Sequence, residues 1–158
     1  MTNPGWLSAL QLSLRAGVAA GASVAIARSL HLGQAVPALI AAVIVMDGSP
    51  TDTRRLAVVR VAGTILGALI GAALGQWVGG SPWVIGLGVL ASVFLTNVLR
   101  LQPAAQLAGY TCGIVLINSG GGAWNYAGGR LIETLIGITV AVLVSSVPRL
   151  LPARGTGA

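Results

Sequence analysis

Residues 60–67 read Arg60-Val61-Ala62-Gly63-Thr64-Ile65-Leu66-Gly67. Residues 130–137 read Arg130-Leu131-Ile132-Glu133-Thr134-Leu135-Ile136-Gly137. An arginine, a threonine four positions on and a glycine seven positions on recur at an offset of 70, with Gly63 replaced by Glu133. A fixed offset between matching stretches marks an internal repeat. Upstream, Val43-Ile44-Val45 aligns with Gly113-Ile114-Val115. With a gap of one or two residues, Asp47-Gly48-Ser49 overlays Asn118-Ser119-Gly120 and Arg28 overlays Arg100.

Composition says what medium the repeat lives in. The 158 residues are 55% hydrophobic and 8% charged, with a mean hydropathy of +0.89. A soluble domain carries about 25% charged residues, so this chain has too little charge to cover a water-facing surface. About 20 apolar residues cross a bilayer, which leaves room for six or so tightly connected spans. A soluble enzyme domain, a zinc fold and a dinucleotide-binding fold are excluded. The net charge of +6 comes from nine arginines and no lysine, scattered singly, which argues against nucleic acid as a partner. The one cysteine, Cys112, cannot form an intrachain disulfide. The N-terminus lacks a basic leader region and Arg15 interrupts its first apolar run, so it does not read as a cleavable signal.

Six spans lie between the breakers: about Trp6–Ser29, Ala35–Met46, Leu56–Val78, Trp83–Leu99, Ala104–Asn118 and Tyr126–Val147. The second is short and contains Pro37, which predicts a kink. Arginine placement sets the orientation. Arg54, Arg55, Arg100, Arg149 and Arg154 collect on one side with Arg60 nearby, and Arg28, His31 and Arg130 on the other. The first side reads as cytoplasmic, with both termini there, in a cell inner membrane. Trp77, Trp83, Trp124 and Tyr126 fall at the opposite interface, where an aromatic belt belongs. The expected fold is therefore all-α and polytopic, a single transmembrane domain of two halves, about 1–80 and 81–158. Three spans is an odd number, so the second half enters the membrane inverted. That is the architecture of transporters and channels.

Small residues line several spans. Gly63, Gly67, Gly71, Gly75 and Gly79 recur every fourth residue, as do Ser13, Gly17, Gly21 and Ala25; Gly129, Gly137, Ala141 and Ser145 follow suit, with Glu133 interrupting. Such faces let helices pack closely in lipid and predict a homo-oligomer, a dimer or trimer. Ser49-Pro50-Thr51-Asp52 resembles a capping box with proline at the first helical position. Its counterpart Ser119-Gly120-Gly121-Gly122 reads as a looser connector.

Arg15 lies about nine residues into the first span, roughly 13 Å deep, near the midplane. A central arginine costs at least about 2.5–3.5 kcal/mol on insertion scales, so it is expected to face a partner or an aqueous path. Arg60 and Arg130 sit near opposite edges of their spans. Glu133, one turn from Arg130, is the only acid within a span; it reads as an ion-pair partner or as a proton-coupling carboxylate. The excess of arginine inside the membrane points to an anionic solute. Arg15, Arg60 and Arg130 are the candidate anion-binding residues, and Asn97, Gln106, Tyr110, Thr111 and Asn118 could coat a polar path or bond between helices. The sequence holds one His and one Cys and no metal-ligand or catalytic spacing, so neither enzyme, metal nor cofactor is expected.

With this pattern in view, the chain resembles the superfamily of fusaric acid resistance proteins and aromatic acid exporters, with plant aluminium-activated malate channels as distant relatives. The resemblance rests on Pro50-Thr51, on the two arginine–threonine–glycine segments, on Trp124-x-Tyr126-Ala127 and on Gly137-Ile138-x-Val140-Ala141. It implies export or conduction of organic anions such as aromatic carboxylates or malate, and assembly into an oligomer. Members often carry a cytosolic domain after the membrane unit, whereas this chain continues about ten residues past its sixth span. Two other readings stay open: a proton-coupled exporter in which Glu133 titrates, and a membrane scaffold that does not transport.

Overall fold

The computed structural model describes residues 5–118, 120 and 122–147. Arg149, Arg154, Ser119 and Gly121 lie outside the described residues. Among those described there are six α-helices and no strand: α1 (Gly5–Ser29), α2 (Val36–Val45), α3 (Pro50–Trp77), α4 (Pro82–Val98), α5 (Ala105–Asn118) and α6 (Ala123–Ser146), with a 3-10 turn at Gln102–Ala104 before α5.

The six helices are not equal. Only α1, α3 and α6 are long and apolar enough to cross a membrane. At 28 and 24 residues, α3 and α6 reach about 42 and 36 Å. The 10 residues of α2 and 14 of α5 reach only about 15 and 21 Å, short of a hydrocarbon core of about 30 Å. The expectation of six spans, the second short, is thus corrected to three long helices, α4 of 17 residues, and two half-length helices, α2 and α5. Pro37 produces no kink, because it sits in the first turn of α2, where the missing amide has no partner to lose.

Local chemistry explains where α3 begins. Ser49 Oγ accepts from Asp52 N at 3.1 Å and donates to Asp52 Oδ2 at 2.6 Å, with Pro50 as the first helical residue. The cap therefore forms as the spacing predicts, and it starts α3 six residues earlier than the apolar run suggested. Arg60 consequently lies ten residues inside its helix, about 15 Å from the start, not at an edge.

Glycines on the long helices let the short ones dock. Added Cβ atoms at Gly63 and Gly71 would meet Ala104 O at 2.9 Å and Cys112 O at 3.0 Å. One at Gly67 would overlap Ala108 O and come within 2.9 Å of Thr111 Cβ. Since Gly80 faces Leu116 O, α5 runs alongside α3 in the same direction, starting halfway up it. On the other side, Gly137 faces Ala38 O and Ala41 Cβ, so α2 lies on α6 in the same way. These contacts repeat at an offset of 70: Gly67 with Ala108 and Thr111, Gly137 with Ala38 and Ala41.

Other features recur likewise. One apolar cluster joins Ala68, Ala72, Val115, Ala123, Ala127 and Tyr126. A second includes Ile138, Val142, Val45, Ala57 and Leu56, and each of these five is 70 positions from a member of the first. The ends of α1 and α4 are also alike. His31 N bonds Arg28 O and Leu32 N bonds Ala27 O, while Arg100 N bonds Asn97 O and Leu101 N bonds Thr96 O. Both helices stop in a Schellman turn with a left-handed residue, His31 at φ 51° and Arg100 at φ 58°. The structural counterpart of Arg100 is therefore His31, not Arg28 as the gapped alignment suggested.

Overpacking typically costs about 1–3 kcal/mol. Gly67→Ala and Gly137→Ala are each expected to destabilise the protein by at least that much in detergent thermal unfolding. Gly86→Ala, where an added Cβ meets nothing within 4 Å, is expected to leave the unfolding midpoint unchanged.

Candidate functional site

Because α5 starts halfway along α3, the space beside the first half of α3 is open. A cavity of about 460 Å³ occupies it, lined by Ile44, Asp47, Asp52, Arg55, Leu56, Val59 and Arg60, with Pro103, Gln106 and Leu107 from the start of α5. This lies within the roughly 300–1,000 Å³ of small-molecule sites. The start of α5 carries the positive end of its helix dipole.

Arg60 is the charged group at the base of this vestibule and is only 1% exposed. Its Nη2 donates to Tyr110 OH at 2.7 Å, and the guanidinium lies 5.2 Å from the centre of the Tyr110 ring. Nε and Nη1 are buried and find no acceptor. Tyrosine steadies the cation without neutralising it. A buried charge normally carries a counter-charge or a full set of hydrogen bonds; here two buried donor nitrogens lack a partner.

Past Arg60 a second, much smaller cavity of about 10 Å³ is lined by Pro37, Thr64, Tyr110, Thr111, Ile114, Arg130 and Thr134. Thr64 and Thr134 stand near the midpoints of α3 and α6. A void of this size holds about one water. Arg130 closes the far side, where its Nε and Nη2 donate to Tyr126 OH at 3.1 and 2.7 Å and its guanidinium lies 5.2 Å from the Tyr126 ring. Two arginines, each held by a tyrosine, thus bracket a threonine-lined waist.

Arg15 stands apart from this arrangement. Its Nη2 donates to Val147 O at 2.6 Å, the residue just past the end of α6. It is level with a helix terminus, where a cation satisfies an orphan carbonyl and the negative end of the dipole, and not at the midplane as its depth along α1 suggested. It lines neither cavity. Glu133 Oε1 accepts from Gln34 N at 3.0 Å, just before α2. The carboxylate is engaged by a backbone amide at a helix start, while Arg130 turns to Tyr126.

Of the polar-path residues, Gln106 lines the vestibule, and Tyr110 and Thr111 line the waist. Asn97 and Asn118 are not brought in; each is exposed and bonds its own helix, at Val93 O and Ile114 O. Thr64, Thr134, Asp47 and Asp52 were missed as site residues. The recurring threonine was the available signal for the first two.

Hydrogen bonds to charged groups contribute about 1.5–3 kcal/mol. Arg15→Gln is expected to lower unfolding stability by about that amount while leaving the vestibule intact, which chemical denaturation and solute binding measure separately.

Comparison with known families agrees with this architecture. A family model described as fusaric acid resistance protein-like matches residues 20–144. That range covers α2 to α5, the last ten residues of α1 and all but the last two residues of α6. No curated protein and no solved structure matches the chain. The match extends over well more than half of the chain, and both cavities lie inside it: this polytopic helical protein belongs to the fusaric acid resistance protein-like family of membrane transporters.

Proposed function

We propose that the protein is a permease for organic or small inorganic anions, and that the vestibule holds the anion against Arg60. The observation that carries this reading is Arg60, a lining residue of a 460 Å³ cavity that is 1% exposed, with Nε and Nη1 of its guanidinium buried and unpaired. An anion there would satisfy both the charge and the spare donors. The positive end of α5 adds to the attraction, as half-helix starts do at transporter sites. Arg130 would serve the opposite mouth.

The same proposal takes the two halves as an inverted repeat. It is supported by the matching contacts of Gly67 and Gly137, by the paired apolar clusters and by the two Schellman turns. It is supported too by a half-length helix in the same place in each half, a pointer to a transport site. A waist the size of one water holds back an organic anion, so passage requires the halves to exchange roles. Orientation follows the arginine bias, with the Arg54 and Arg55 side in the cytoplasm of a cell whose inner membrane holds the protein. The open Gly17 and Gly21 face of α1 suits a homo-oligomer. Engagement of Glu133 by Gln34 favours this reading over proton coupling through Glu133, and the vestibule favours it over a scaffold.

Loss of a charge-assisted contact of about 1.5–3 kcal/mol weakens binding about ten- to hundred-fold. In liposomes, Arg60→Gln is expected to cut benzoate, malate or chloride flux at least ten-fold, with Arg60→Lys in between. Wild-type flux through a folded Arg60→Gln protein would overturn the assignment.

A further inference from the structure

The vestibule is not uniformly positive. Two of the chain's three acidic residues, Asp47 and Asp52, stand in its wall beside Arg55 and Arg60. Charge is sorted by depth. Asp52 and Arg55 are exposed and Asp47 is half-buried, while Arg60 is buried at 1% exposure. The mouth therefore carries both carboxylates with the single Arg55 guanidinium, a net negative end, and the base carries an uncompensated guanidinium. Asp47 Oδ1 accepts from Gly48 N at 2.6 Å and Asp52 Oδ2 from Ser49 Oγ at 2.6 Å, which leaves the second oxygen of each carboxylate for another donor. Between the two ends the wall is apolar: Leu56, Val59, Leu107 and Ile44.

We infer that the preferred solute of this vestibule is zwitterionic: a carboxylate bound at Arg60, an apolar body, and a cationic amino group at Asp47 and Asp52. This inference rests on the anion-site reading of Arg60 and narrows it. The four charged side chains of the wall sum to zero, so a plain anion gains at the base and is repelled at the mouth. A dipolar solute gains at both ends. Asp52 and Arg60 are eight residues apart, about 12 Å of helix, and the Arg60 guanidinium reaches on to Tyr110 OH, so the two charges stand well apart. That span suits an ω-amino acid better than an α-amino acid.

The test compares 6-aminohexanoate with hexanoate, which differ only in the ammonium group, by calorimetric titration of the full chain in nanodiscs. The wild type is expected to bind 6-aminohexanoate at least ten-fold more tightly. The double variant Asp47→Asn, Asp52→Asn keeps the acceptor oxygens that Gly48 and Ser49 use; it is expected to lose that preference while binding hexanoate at least as well as before. Arg60→Gln is expected to weaken both ligands at least ten-fold. Hexanoate binding as tightly as 6-aminohexanoate, still dependent on Arg60, would overturn the zwitterion inference and leave the anion site standing. Binding of both ligands unaffected by Arg60→Gln, or no binding of either to the wild type, would overturn the two together.

Discussion

The close approach of backbone to backbone at Gly67 and Gly137 sets the shape of this molecule. At each, a helix carbonyl, Ala108 O or Ala38 O, occupies the place where a side chain would begin. In lipid, helices associate through packing and not through expulsion of water, so a bare glycine face is what holds a half-length helix against a long one. Seating α5 partway up α3 leaves the first half of α3 uncovered on that side, and the vestibule is the space that results. Its charged base and the α5 start above it both follow from where the short helix begins.

Charge inside the bundle is handled by partners that do not cancel it. Arg60 and Arg130 each rest on a tyrosine, through a hydroxyl and a ring face 5.2 Å away. Arg15 finds a helix-end carbonyl, and Glu133 a backbone amide before α2. Charges paired with each other would be stable and inert. Charges held by neutral groups keep their field, and that field gives an anion, or the anionic end of a dipolar solute, a reason to enter.

Local and periodic features were legible in the sequence. The Ser49–Asp52 cap, the glycine faces and the repeated arginine–threonine–glycine segment each depend on residues a few positions apart or on a constant offset. Features set by where one helix ends against another were not. Arg15 was placed by its depth along α1, but its surroundings are decided by the end of α6 at Val147. Glu133 is one turn from Arg130, which suggested a pair; the N–H of Gln34, 99 residues away in the chain, claims it instead. The shortness of α2 was visible around Pro37, yet its meaning appeared only beside α5, which is also too short to span. Asp47 and Asp52 read as turn and cap chemistry, and their second role in a cavity wall needed the fold.

The central claim is that Arg60 lies at the base of an aqueous vestibule open to the Arg54 and Arg55 side of the membrane. Accessibility of Gln106→Cys, in a Cys112→Ala background, to a membrane-impermeant thiol reagent measures it directly. The account predicts rapid labelling from that side only, slowed by a bound carboxylate when Arg60 is present and unaffected by it in Arg60→Gln. Labelling no faster than at the exposed position Leu90→Cys, or equal labelling from both sides, would contradict it.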